Sequence, residues 1–324
     1  MTLPILHTTS SLRTWDTCKR KYQIEYVRRV RPASRGKALG VGTATHDGLE
    51  RFMLGDTLGG ILARVEETTR GPAWENEKAQ IEWGRVRAML AAYFATWSAA
   101  RANWEPVEVE GSFQIATGTS MLAGKRDALM RHKPTGKLYL WEHKTASEDI
   151  DNVGTDYWQR LLLDRQLAIY QHDAAERFGE VPAVLYDVIR KPGGSPRLKS
   201  RKKDATERES LAEFGERMAQ TMLEDPGKYL VRREVHRTRE EVAEVLAEMT
   251  ETAGEIDAYR GRYPRNDNAC KARYGICPFL GVCAGIDTLD SDKFVTLDET
   301  HPELGQTQTS EDADDSYSAE ELPF

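Results

Sequence analysis

The sequence is poor in cysteine, has no long apolar run and shows no internal repeat, and each absence removes a class of protein. Four cysteines in 324 residues are too few for a disulfide scaffold of the secreted kind. No stretch comes near the roughly 20 apolar residues that a membrane helix requires. The opening Met1 to His7 is too short, and too soon followed by polar residues, to serve as a secretory leader. A cytoplasmic chain is expected, where disulfides are rare. The formal net charge of -7 also denies the chain the uniform positive charge of a simple polyanion binder. That charge is unevenly spread: residues 285–324 carry 12 acidic residues and one lysine, which leaves 44 basic against 40 acidic residues, or +4, over residues 1–284. The expected organisation is one domain over 1–284, large enough for a full core, followed by an acidic, disordered tail over 285–324.

What is present begins with a hairpin. Residues 122–129 read as a strand carrying Asp127, Lys133-Pro134-Thr135-Gly136 as a turn, and 138–144 as a second strand carrying Glu142 and Lys144. Side chains alternate along a strand, so Glu142 and Lys144 point one way and His143 the other. Two carboxylates and an ammonium on one surface suit phosphodiester hydrolysis. The carboxylates can hold Mg2+ or Mn2+, which activates a water and neutralises phosphate charge, while Lys144 positions the water and stabilises the pentavalent state. Downstream, 159–171 is helical in pattern, and Gln166 and Tyr170, four apart, share a face. Upstream, 40–50 opens a helix whose His46 is a candidate further ligand, and an imidazole favours Mn2+ more than oxygen ligands alone do.

Taken in order, these residues resemble the RecB-like branch of the PD-(D/E)XK nuclease superfamily. The resemblance implies metal ligation by His46, by Asp127 of a Gly-x-x-Asp strand, by Glu142 and by the carbonyl of His143. It makes Lys144 the catalytic lysine and Gln166-x-x-x-Tyr170 a motif that engages DNA. The implied fold is α/β, a restriction-endonuclease-like mixed central sheet flanked by helices, with helical insertions.

The cysteines are a separate signal. Cys18 lies near the start, and Cys270, Cys277 and Cys283 follow near the end, with six and then five residues between them. Four thiolates in a reducing compartment point to a metal centre, either a 4Fe-4S cluster or tetrahedral zinc, and neither gap has the short spacing usual for zinc. Cys277-Pro278-Phe279, and Ser10 to Tyr22 around Cys18, are similar to segments of iron–sulfur members of the same branch, the CRISPR-associated exonucleases and the AddB nuclease domain. This likeness implies a cluster on Cys18, Cys270, Cys277 and Cys283 that clasps the two ends of the chain. The chain departs from it between Cys270 and Cys277, where many members have only two residues.

Elsewhere the pattern predicts helices near 46–69 and 73–102, a strand over 106–116, a central apolar strand over 181–189 and two polar helices ending near Tyr259. Arg190, Lys191, Arg197, Lys199, Arg201, Lys202 and Lys203 form a basic strip suited to a phosphate backbone, with Lys199, Arg201, Lys202 and Lys203 as its expected DNA contacts. The final Leu322-Pro323-Phe324, after a run of acids, is similar to the tail by which bacterial single-stranded-DNA-binding proteins recruit repair enzymes, and implies a replication or repair partner. The expected activity is metal-dependent exonucleolysis of single-stranded or frayed DNA ends in recombination, repair or replication. A non-catalytic DNA-binding accessory protein and a zinc-clasped regulatory protein are the two other readings.

Overall fold

The computed structural model describes residues 5–33, 40–69, 77–118, 120–199, 207–272 and 275–304. Strand β1 (Ile5–Thr8) runs directly into α1 (Thr9–Thr17), whose start is fixed by a reciprocal capping box between Thr8 and Ser11. Strand β2 (Val30–Pro32) precedes three helices, α2 (Val41–Leu54), α3 (Leu58–Thr69) and α4 (Glu77–Arg101). Then come β3 (Trp104–Thr117), β4 (Ser120–His132), β5 (Leu138–Ala146), α5 (Arg165–Phe178) and β6 (Val184–Arg190). The last long elements are α6 (Leu211–Glu224), β7 (Leu230–Val235) and α7 (Arg239–Ala258), and the short β8 (Phe294–Thr296) lies near the end of the described chain.

The sheet is mixed, and β4 is its pivot. Along one edge β4 pairs with β3 in antiparallel fashion over almost its whole length. Its other edge is divided: residues 120–123 pair with β1 in parallel, and residues 128–131 pair with β5 in antiparallel. Between those two stretches the edge opens into a fork. Beyond the fork β5 pairs in parallel with β6, reached through α5, and β6 pairs in antiparallel with β7, so the apolar strand expected over 181–189 is an inner strand.

Helices cover both faces. Leu12 of α1, Leu167, Ile169 and Tyr170 of α5, and Met249 and Ala253 of α7 form one core with the sheet, while α2, α3 and α4 form the other with Ala128, Met130, Trp141 and Leu185. Two glycines permit approaches on which the site depends. A Cβ at Gly48 of α2 would lie 2.5 Å from Leu90 Cδ2 of α4, and one at Gly124 of β4 would lie 2.6 Å from Phe113 Cζ and 3.0 Å from Tyr170 Cε1. The first allows α2 to lie close on α4, and the second lets Tyr170 settle onto β4.

Several expectations are corrected. The helix expected over 159–171 begins at Arg165, because Asp164 caps it by accepting from the Gln166 amide, and Arg160–Leu163 is a separate 3-10 turn. A strand, β7, stands between the two polar helices. The tail does not leave the fold at residue 285. Strand β8 pairs with β2, the Leu297 amide donates to Arg29 O at 2.9 Å, and buried His301 bonds Leu6 O at 3.0 Å. Phe294 stacks on Phe279 at 5.5 Å, an apolar anchor that the acidic average of the segment conceals. Residues 305–324, including Leu322-Pro323-Phe324, lie outside the described residues, as do Arg201, Lys202 and Lys203. No helix among the described residues is long and apolar enough to cross a membrane.

Candidate active site and the cysteine corner

The fork in the β4 edge gathers the sequence candidates. Leu122 and Gly124 face the α5 core, whereas Ala128 and Met130 belong to the opposite one, so the alternation of β4 slips around Asp127. The residue across from it on β3, Glu110, has a φ of 55°, in the left-handed region. This slip turns the Asp127 carboxylate into the fork. There its Oδ2 accepts the His143 backbone N–H at 2.7 Å, and its Oδ1 stands 3.6 Å from His46 Nδ1. Burial pushes the Asp127 carboxyl up, but bonds and charge from His143 and His46 outweigh it and hold the group well below the usual carboxylate range.

Glu142 is almost fully buried and accepts from the Lys144 ammonium. Burial, reinforced by the Asp127 charge and opposed by Lys144, pushes the Glu142 carboxyl up to about 7. Lys144 also donates to Gln166 Oε1 at 3.4 Å, and Gln166 Nε2 donates to the Tyr170 hydroxyl at 2.7 Å. The two acids and the lysine thus meet across the fork rather than on one flat sheet face. His143 turns away from Glu142 and Lys144, as alternation requires, yet its ring reaches within 3.5 Å of Asp127 Oδ2.

Behind that ring lies a network absent from the sequence reading. The buried Tyr93 hydroxyl is 3.5 Å from His143 Nε2 and donates to Asp187 Oδ2 at 2.6 Å. Arg232 donates to the same oxygen at 2.6 Å, and its guanidinium lies 4.0 Å from the Trp97 ring centre and 4.3 Å from that of Trp141. An aspartate in the middle of the largely apolar strand β6 was the one signal in the sequence, since a buried carboxylate demands partners. A second network ties α5 to the sheet: fully buried Arg126 bridges Glu108 of β3 and Asp173 of α5.

The donors fit a hard divalent cation, because Mg2+ is commonly held by one or two carboxylates with its remaining positions filled by water and substrate. Asp127, Glu142, His46 and the His143 carbonyl would hold it. No group of three or more His, Cys, Asp or Glu side chains among the described residues already stands in a metal-holding arrangement. At this site Glu142 is instead engaged with Lys144.

The four cysteines, distant in sequence, line one hollow and are all free thiols. The hollow has a cavity volume of about 20 Å³. Burial pushes the thiols of Cys277 and Cys283 up. The two chain ends meet here through protein contacts as well: Asn266 Nδ2 donates to Thr17 O at 2.8 Å, the Arg20 amide to Pro264 O at 3.0 Å, and Lys19 lies over the Trp15 and Tyr259 rings. An all-cysteine donor set fits a thiolate-bound centre such as a four-iron cluster or zinc.

In the basic strip, Lys199 is engaged locally, 3.1 Å from Glu207 and 3.3 Å from Glu213, and these partners raise its pKa.

The family model described as the PD-(D/E)XK nuclease superfamily matches residues 7–284. Among solved structures, one described as a "putative exonuclease" from Eubacterium rectale aligns with a TM-score of 0.45 at 10% identity, covering 88% of this chain and 89% of that one. No curated protein matches the chain.

Proposed function

Because the chain belongs to the PD-(D/E)XK nuclease superfamily, we propose that it is a divalent-metal-dependent DNA exonuclease of the RecB-like, iron–sulfur kind. It acts on single-stranded or frayed ends in recombination, repair or replication, in the cytoplasm. One observation carries this reading: Asp127, Glu142, Lys144, Gln166 and His46 come from two strands and two helices and converge on one fork in the sheet.

Each group has a task there. A bound Mg2+ or Mn2+ supplies an activated water and neutralises charge on the phosphate. Asp127, kept ionised by His143 and His46, and Glu142 bind the cation with His46 and the His143 carbonyl. Lys144 orients the attacking water and faces the negative charge that grows on the phosphate. Gln166 accepts from Lys144 and is itself held by Tyr170, so the ammonium has a fixed direction. Cys18, Cys270, Cys277 and Cys283 would hold a 4Fe-4S cluster that clasps the two ends of the chain. The acidic C-terminus recruits a replication or repair protein.

The test is digestion of end-labelled DNA with Mg2+ or Mn2+, by the wild type and by Lys144→Ala. Mononucleotide release by the wild type alone is expected, and no release by either protein refutes the nuclease reading. An absorption spectrum of anaerobically purified protein separates the two thiolate centres, since a cluster is coloured and zinc is not.

A further inference from the structure

The segment just before α5 holds two leucines out in water. Leu162 is 67% exposed and Leu163 86% exposed, whereas Leu161 between them and the core is buried. Exposed apolar residues are common singly, but this pair stands on a braced support. The Arg237 guanidinium, from the loop between β7 and α7, donates to the carbonyls of Leu161 at 2.7 Å, Leu162 at 3.0 Å and Asp164 at 3.1 Å. From below, Trp158 is buried and donates through Nε1 to Ile150 O at 2.8 Å. Asp164 closes the segment by capping α5. The backbone of this turn is therefore fixed, while among the described residues none covers its two leucine side chains.

Position gives the tip its meaning. Leu163 precedes Gln166 by three residues, so chain geometry keeps their Cα atoms within about 11 Å, and Gln166 is bonded to Lys144. A strand that reaches Lys144 is therefore within reach of the tip. Arg160, at the base of the same turn, lies 4.3 Å from the Tyr157 ring centre, with Glu148 at 3.8 Å, and is about half exposed. A cation beside an apolar tip matches a nucleotide, which offers a phosphate and a base face together.

We propose that Leu162 and Leu163 form an apolar wedge that covers the face of the terminal base pair of duplex DNA and separates its strands, passing one to the fork. Leucine is among the side chains that enter base steps, because it replaces lost stacking without needing a hydrogen-bond partner. Unpairing costs least at an end that is already mismatched or single-stranded. This inference rests on the exonuclease reading and extends it: the substrate class includes paired ends, which the enzyme opens for itself.

The experiment compares the wild type with Leu162→Ser/Leu163→Ser on three labelled substrates: a single strand, a blunt duplex and a duplex with a mismatched end. Both positions are exposed, so the double variant keeps its fold. The variant should match the wild type on the single strand and the mismatched end and be about ten-fold or more slower on the blunt duplex. Equal rates on the blunt duplex, or equal loss on all three, would overturn the wedge; the first outcome would leave the leucines to a protein partner. A second arm needs no cleavage. Lys144→Ala protein, with and without the two serines, is bound to a blunt duplex carrying 2-aminopurine at its end. Fluorescence should rise only with the leucines present, and a rise without any wild-type cleavage would keep the wedge while refuting the exonuclease.

Discussion

The fork in the sheet and the cysteine corner both gather residues from opposite parts of the chain, but they are supported in opposite ways. Around the fork, regular strands and helices set each side chain, and the charged groups behind it are paired with one another, as in Arg232–Asp187–Tyr93 and Glu108–Arg126–Asp173. The corner is made of fragments: two strands of two residues, a 3-10 turn at Asp267–Ala269 and the four-residue helix Leu280–Cys283. Its apolar core has three buried members, Ile24, Val30 and Phe279. Such pieces are too short to fold on their own propensity. The fork is a scaffold that can hold a metal, whereas at the corner a metal centre would hold the scaffold, since binding free energy there is folding free energy.

The sharpest way to break this comparison is to remove one group from each region. Asp127→Ala and Lys144→Ala should each lower cleavage by about 10³-fold or more while leaving the thermal midpoint and most DNA binding in place, because these groups act on metal or transition state. Cys18→Ser should do the reverse in kind. Metal content and thermal midpoint should fall together, and as far as in Cys283→Ser, although the two cysteines lie at opposite ends of the chain. A Cys18→Ser protein with full metal content and an unchanged melting curve would remove the corner from the structural role. Near-normal turnover in Lys144→Ala would remove the fork from the chemistry.

A smaller effect is expected one layer back. Tyr93→Phe deletes the hydroxyl beside His143 but leaves Asp187 its bonds to Arg232, so stability should fall by about 1 kcal/mol. The metal concentration for half-maximal activity should rise by about 10-fold or more, as is usual when a group that orients a ligand is lost. A metal titration that superimposes on the wild type would show that Tyr93 only packs. His46→Ala should weaken Mn2+ support more than Mg2+ support, because two carboxylates remain for the harder ion. Equal loss with both ions would take His46 out of the metal shell.

The two regions also differed in how much of them could be read from the chain. At the fork, strand alternation gave the shared direction of Glu142 and Lys144, and the spacing of four gave the meeting of Gln166 with Tyr170. Gly124 carried more than its motif implied, because a Cβ there would press on Phe113 and Tyr170. The fork itself was not legible. It arises because β1 and β5 share one edge of β4, a pairing between segments more than a hundred residues apart that no local pattern specifies. Tyr93 and Arg232 were equally hidden, one on a long helix and one on an unforeseen strand. At the corner, the clustering of cysteines pointed to one site before any geometry did. The return of residues 286–304 to β2 was missed because composition averages away the few apolar anchors, Phe294 foremost, that decide where the tail begins.

The mildest test sets the two regions apart by pH. His7, buried in β1, bonds Asp257 at the end of α7 at 3.0 Å, beside the segments that carry the corner. Burial lowers the His7 pKa below its ordinary 6.5; Asp257 raises it in part through its hydrogen bond and charge, and His301 lowers it. Below about pH 6.5 the unfolded chain therefore binds a proton that the folded chain resists. The contribution of His7 is complete above that pH, declines as pH falls toward the folded-state pKa, and declines no further below it. One histidine can supply at most one proton, so the slope cannot exceed about 1.4 kcal/mol per pH unit. Glu142, whose pKa is raised, acts in the opposite sense over part of this range, so wild-type melting alone would blur the effect. The clean measurement is the difference in denaturant-unfolding free energy between wild type and His7→Gln from pH 8 to pH 5. That difference should be constant above about pH 7 and shrink below it, whereas near-parallel curves would show that folding leaves the His7 pKa unshifted, and a difference that grows as pH falls would show that Asp257 holds it protonated.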